Sequence, residues 1–175
     1  MTVEPKLSDP SDSKAFRQAL GCFPTGVTII TGRDPETHAA VGLTVSSFNS
    51  LSLQPPLVLW SISARSPSLT AFGPGRAQCI HVLSAQQADL AKHFATPKPD
   101  KFAGVSLRTD RPADAPPQLA DCCVVFDCVT DRLIEAGDHF LVIADVRGYQ
   151  AFAADPLVFC KSLFLSSESL SRING

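Results

Sequence analysis

Gly26-Val-Thr-Ile-Ile-Thr31, the turn Arg33-Asp-Pro-Glu36, and the return from Ala39 through Phe48 decide the fold. The first six residues are rich in β-branched side chains, which fit a pleated strand better than a helix. Asp-Pro punctuates the run, and a second apolar stretch follows it, so the segment predicts a hairpin of antiparallel neighbours. Outward from it, Asp12 or Ser13 caps a short upstream helix with Phe16, Ala19 and Leu20 on one face, and Pro24 ends that helix. Downstream, Pro55 and Pro56 introduce Leu57-Val-Leu-Trp-Ser-Ile62, which reads as a buried strand. Ser66-Pro67 predicts a helix running to Phe72 and stopping at Gly73-Pro-Gly75. A strand from Cys79 to Leu83 precedes Ser84-Ala-Gln-Gln87, whose capping-box spacing opens a helix ending near Phe94. Residues 95–118 form a long proline-rich loop, of a length usually tied to function or mobility. Cys122 to Ile134, the turn Glu135-Ala-Gly-Asp138 and Phe140 to Val146 make a second hairpin, and Leu157 to Leu165 is the last strand.

Strands whose partners follow each other in sequence predict a mainly β, antiparallel barrel with a few short peripheral helices, rather than a doubly wound parallel sheet. Residues 1–11 are expected to form a flexible arm, and 12–175 one domain without internal repeats. With 45% hydrophobic and 18% charged residues, the chain has the composition of a folded domain rather than of a disordered one. The net charge of −2 offers no basic stripe, which argues against nucleic acid as a partner. No apolar run approaches the roughly eighteen residues that cross a membrane. The polar segment from Met1 to Lys14 has no signal-peptide core, so a cytoplasmic location is expected. Six cysteines (Cys22, Cys79, Cys122, Cys123, Cys128 and Cys160) read as free thiols without that leader. Zinc on Cys122, Cys123 and Cys128 is disfavoured, because adjacent strand residues point to opposite faces and no CxxC pair accompanies them.

The familiar nucleotide and hydrolase signatures are missing. Gly73-Pro-Gly75 has Gln78 at its third glycine position, and neither a Walker lysine nor a G-x-S-x-G elbow occurs. The informative block is Gly42-Leu-Thr-Val-Ser-Ser-Phe48, continuing through Leu51-Ser-Leu-Gln-Pro-Pro-Leu57. Thr44, Ser46 and Ser47 bring hydroxyls and main-chain N–H groups to the end of an apolar strand. Such groups suit a flavin edge, a ribityl chain or a phosphate, and equally suit a strand end turning into a loop. Arg65 offers a planar fork for phosphate oxygens or a solvated surface charge. Ser66 at a helix start adds N–H groups toward an anion. Lys101 is a cofactor contact or a loop charge, Phe94 and Phe102 stack or pack, and Trp60 belongs to the core. His38 and His93 read as surface residues, and His81 as facing a pocket or a second subunit.

Taken in order, several of these segments resemble successive signatures of the flavin reductase-like family. They are Pro24-Thr-Gly-Val-Thr-Ile-Ile-Thr31, the Gly42–Leu57 block, His81-Val-Leu-Ser84, Leu90-Ala-Lys-His-Phe94, Lys101-Phe102 and Gly137-Asp-His139. The resemblance implies an FMN-binding split β-barrel, a homodimer, and hydride transfer from NADH or NADPH to FMN or FAD, with reduced flavin passed to a partner monooxygenase. It implies that Thr44, Val45, Ser46 and Ser47 line the flavin ring and ribityl chain. By the same resemblance Ser61, Arg65, Ser66 and Ser68 face the ribityl-phosphate end, Lys101 and Phe102 close over the cofactor, and His139 lies near the nicotinamide as the catalytic candidate. No metal is implied. The family usually has Asn at His81, Asp at Gln54 and Gly-Glu at Ala144-Asp145, departures that bear on flavin preference and dimer contacts. Two other readings keep the barrel: reduction of another acceptor such as a ferric chelate, corrinoid or quinone, and a non-catalytic flavin-binding electron-transfer module.

Overall fold

The computed structural model describes residues 7–165, so the first six residues of the expected arm and the last ten of the expected domain lie outside the described residues. Helix α1 (Ser13–Leu20) starts where Asp12 Oδ1 accepts the N–H groups of Lys14 and Ala15, both at 3.1 Å. Strands β1 (Thr25–Gly26), β2 (Thr28–Arg33) and β3 (Ala40–Val45) follow, and β2 and β3 form the hairpin expected from sequence. Asp34 builds its turn: Oδ1 accepts from the Glu36 and Thr37 N–H groups and from the Thr37 hydroxyl. Then come β4 (Asn49–Leu53), β5 (Pro56–Ser63), β6 (Ala77–Val82) and helix α2 (Ala88–Ala95). The long hairpin of β7 (Val124–Ala136) and β8 (His139–Ala151) turns through Gly137-Asp138, where Gly137 takes a φ of 64°. Short β9 (Val158–Cys160) pairs with both β1 and β10 (Leu163–Leu165) in a three-stranded sheet.

The other seven strands lie in the order β3-β2-β6-β7-β8-β5-β4, every neighbouring pair antiparallel. The two edges of this sheet, β3 and β4, are joined only by Ser46, Ser47 and Phe48. Flat, seven strands would hold their edges about 29 Å apart. The chain from Val45 to Asn49 reaches at most about 15 Å. The sheet is therefore curled so that its edges approach each other at this link without pairing, the split-barrel form expected above. One core cluster, with Ile30, Trp60, Phe72, Ile80 and Val142, fills one face of the curled sheet. A second, with Ile29, Leu83, Phe94, Leu119 and Leu157, lies between the sheet and α2. Alternation along β2 sends Ile30 into the first and Ile29 into the second, so the strand is buried on both faces.

Most buried polar side chains are paired, and among the described residues Thr25 Oγ1 and Arg111 Nε are the exceptions. Trp60 Nε1 donates to Gln78 Oε1 at 2.9 Å, and Gln78 Nε2 donates to Thr130 Oγ1 at 2.8 Å. His81, fully buried, faces neither a cleft nor an exposed surface. Its Nε2 accepts from the Leu119 N–H at 3.0 Å, which leaves Nδ1 as the donor to the Ile29 carbonyl at 2.9 Å. Burial pushes its pKa down to about 4 although the Ile29 bond opposes the shift. All six cysteines are unbridged, and burial raises the thiols of Cys122 and Cys128 to about 12. No helix among the described residues is long and apolar enough to cross a membrane.

Three elements differ from the expectation. The segment after Ser66 is a single 3-10 turn, Leu69–Phe72, because Ser66 Oγ accepts from the Ser68 N–H and holds a tight turn before it. Strand β4 exposes Leu51 and Leu53 and so lacks the one-sided burial that marks a strand in sequence. The last strand is two, since Lys161 and Ser162 adopt φ of 48° and 64° and reverse the chain.

Candidate active site

Three elements end together at the link between the two sheet edges. Strand β3 carries Leu43, Thr44 and Val45 out to Ser46 and Ser47, and β5 ends at Ser63 opposite His139, the first residue of β8. The Ser47 hydroxyl accepts from the Ser61 N–H at 2.9 Å and ties link to strand. The result is a cleft of about 340 Å³ lined by Leu43, Thr44, Val45, Ser46, Ser47, Ser61, Ile62, Ser63, Ser66 and His139. A second cleft of about 330 Å³ shares Leu43 and Ser66 with it and adds Gly42, Ser68, Lys98, Lys101 and the prolines Pro67, Pro97 and Pro99. Shared lining at Leu43 and Ser66 places the two side by side, each within the size range of small-molecule sites.

Geometry assigns distinct work to the polar groups. The main-chain N–H groups of Ser46 and Ser47 have no partner among the described residues, so the link offers open donors beside an apolar wall. The Thr44 hydroxyl donates to the Ala91 carbonyl at 2.6 Å and fastens β3 to α2. His139 Nδ1 meets Asp138 Oδ1 at 2.7 Å, which lowers the Asp138 pKa and leaves Nε2 as the ring nitrogen open to a ligand. The Lys101 ammonium donates to the Gly42 and Phe94 carbonyls at 3.1 and 2.7 Å, and partial burial lowers its pKa.

Of the sequence candidates, Thr44, Val45, Ser46, Ser47, Ser61, Ser66 and His139 gather at the first cleft and Ser68 and Lys101 at the second. Two stand apart. Phe102 packs its ring against Phe94 at 5.2 Å, at the edge of the second core. Arg65 is exposed, lines neither cleft, and lies close enough to Asp138 to act on its carboxylate. The N–H groups expected to face an anion at Ser66 are spent locally: Ser66 donates to the Ser63 carbonyl and Leu69 to that of Ser66. Sequence reasoning missed Leu43 and Lys98 among the lining residues, the first an ordinary strand residue and the second in a loop without a motif. Gly42 has a physical signature that only coordinates reveal: a Cβ there would meet Phe94 Cε1 at 2.6 Å and Phe102 Cζ at 3.1 Å.

Comparison with known proteins adds an independent line. The model of the flavin reductase like domain matches residues 20–166. The chain is 32% identical over 168 residues to the stachydrine N-demethylase reductase subunit Stc3 of Rhizobium meliloti (strain 1021), covering 96% of this chain and 72% of that protein. It is 37% identical over 153 residues to the FMN reductase (NADH) SmoA of Agrobacterium fabrum, covering 87% and 85%. Among solved structures, the NADH:FAD oxidoreductase SgcE6 of Streptomyces globisporus C-1027, in complex with NAD and FAD fragments, superposes with a TM-score of 0.81 at 33% identity. That match covers 92% of this chain and 96% of SgcE6. An oxidoreductase from Sinorhizobium meliloti 1021 superposes with a TM-score of 0.83 at 32% identity, covering 96% of this chain, which spans only 57% of that longer one.

Proposed function

Because the chain belongs to the flavin reductase-like domain family, we propose that it is an NAD(P)H:flavin oxidoreductase that supplies reduced flavin to a partner monooxygenase. The observation that carries this reading is the meeting of Thr44–Ser47, Ser61, Ser66 and His139 around one groove. The groove suits a flavin. Its walls are apolar at Leu43, Val45 and Ile62, its rim carries hydroxyls, and the open Ser46 and Ser47 N–H groups can bond ring carbonyls or ribityl oxygens. Flavin, when bound, supplies the hydride-accepting ring, so the chain needs no acid–base pair for that step. What the chain does is bind, orient and exclude water. Thr44 and Lys101 hold β3, α2 and the following loop in register, and Ser47 holds the link against β5. His139, held through Nδ1 by Asp138, presents Nε2 for the nicotinamide side. Orientation of a hydride donor toward its acceptor is worth rate without any new bond.

A homodimer belongs to the same proposal, as a second copy would cover a groove that is open in one chain and apolar residues such as Leu53 (89% exposed). The test is steady-state oxidation of NADH and NADPH with excess FMN or FAD, followed by flavin absorbance. Turnover with free flavin is expected, and flavin binding without turnover would leave an electron-transfer module instead.

A further inference from the structure

The second cleft holds two ammonium groups, of Lys98 and Lys101, beside Ser66 and Ser68, and no carboxylate lines it. Asp100, between the two lysines in sequence, turns its Oδ1 to the N–H groups of Phe102 and Ala103. Lys101 is consumed by the fold, since its Nζ donates to two carbonyls. Lys98 is not. Among the described residues its Nζ meets only His93 Nδ1, at 3.1 Å. The tautomer of that ring follows from its other side: His93 Nε2 lies 2.8 Å from the Lys101 carbonyl, which only accepts, so Nε2 carries the proton and Nδ1 the lone pair. A neutral imidazole thus holds the ammonium without cancelling its charge, and two of its three N–H donors stay open. Pro97 and Pro99 on either side narrow the backbone freedom of the segment that carries it.

We propose that Lys98 is a specificity-determining residue that reads the phosphate of a phosphorylated flavin, with the ring in the first cleft and the phosphate ester in the second. The clefts share Leu43 and Ser66 and so lie side by side, and the proposal places one ligand across the two. The inference rests on the flavin reading above and moves the phosphate contact from Arg65, which lines neither cleft, to Lys98.

The test is fluorescence-quenching titration of flavin-free protein with FMN and with riboflavin, for wild type, Lys98→Met, Lys98→Arg and Arg65→Ala. Lys98 is exposed, so its substitution leaves the cores intact. Lys98→Met is expected to weaken FMN binding roughly tenfold or more, the scale of one charge-assisted bond, while riboflavin binding changes less than about twofold. Lys98→Arg should keep most of the FMN preference. Equal losses for both flavins, or no loss for FMN, overturn the proposal. So does selectivity that Arg65→Ala removes and Lys98→Met spares. A Lys98→Met defect confined to NADPH over NADH in the same protein also overturns it, because the phosphate read would then belong to the nucleotide. Wild-type protein that quenches neither flavin strikes down the flavin reading itself, a result distinct from all of these.

Discussion

His139 shows how one side chain serves two readings. As a hairpin-end residue it bonds its neighbour Asp138, and as the first residue of β8 opposite Ser63 it also lines the groove. Replacing it with alanine should raise the KM for NAD(P)H or slow flavin reduction roughly tenfold, about one hydrogen bond's worth, with flavin affinity and Tm near wild type. Stopped-flow reduction of flavin-loaded protein measures this, and an unchanged rate and nicotinamide dependence return His139 to a surface role. Ser46 and Ser47 divide differently. Replacing both with alanine should weaken flavin binding more than it weakens the fold. Only Ser47→Ala should also lower Tm, by about 1 kcal/mol of stability, because its hydroxyl accepts the Ser61 N–H. Calorimetric melts beside flavin titrations separate the two. The residue types at Thr44, Ser46 and Ser47 were legible in the chain as a polar strand end. That the Thr44 hydroxyl is spent on Ala91 was not, since the two residues lie far apart in sequence.

Between elements, close approach and buried pairing set the tolerances. Strand β3 passes so near α2 that Gly42 has no room for a methyl group beside the fully buried Phe94 ring. Gly42→Ala should cost about 1–3 kcal/mol by overpacking, read as a lower Tm, and should loosen flavin binding through the displaced wall of the groove. His81 couples β6 to β2 and to the loop at Leu119. Its pKa is depressed in the fold, from 6.5 to about 4. Unfolded chains therefore take up a proton below pH 6.5 that the native protein refuses until pH 4. Its share of stability is full above pH 6.5 and is lost as pH falls toward 4, by up to about 3 kcal/mol. Urea melts across that range should show it. His81→Asn should flatten this part of the profile by one proton while lowering stability at neutral pH, as Asn does not titrate. A slope unchanged in the mutant would assign the acid sensitivity to another group.

At the scale of the molecule, curling brings β3 and β4 together at Ser46–Phe48 and leaves large apolar side chains outside: Leu53 at 89%, Phe23 at 76% and Tyr149 at 73% exposure. Sedimentation at micromolar concentration should find a dimer, because surface of this kind is costly in water and a second copy also closes the groove. A monomer that still binds flavin tightly would exclude the shared site.

Local chemistry determined what the sequence could show alone: the β2–β3 hairpin from β-branched runs around Asp34-Pro35, the capped starts at Asp12 and Ser84, the antiparallel class, and the polar end of β3. Each depends on neighbours a few residues apart, and the chain displays those directly. The tertiary structure decided everything that rests on distant partners. It broke the last strand at Lys161-Ser162, where positive φ reverses the chain so that β10 pairs back onto β9. It made His81 a neutral core residue through Ile29 and Leu119, spent Lys101 on Gly42 and Phe94, and left Lys98 beside His93 as the open cation of the second cleft. Burial, tautomer and the use of a charge are properties of an environment, and the environment of these residues exists only once the sheet has curled.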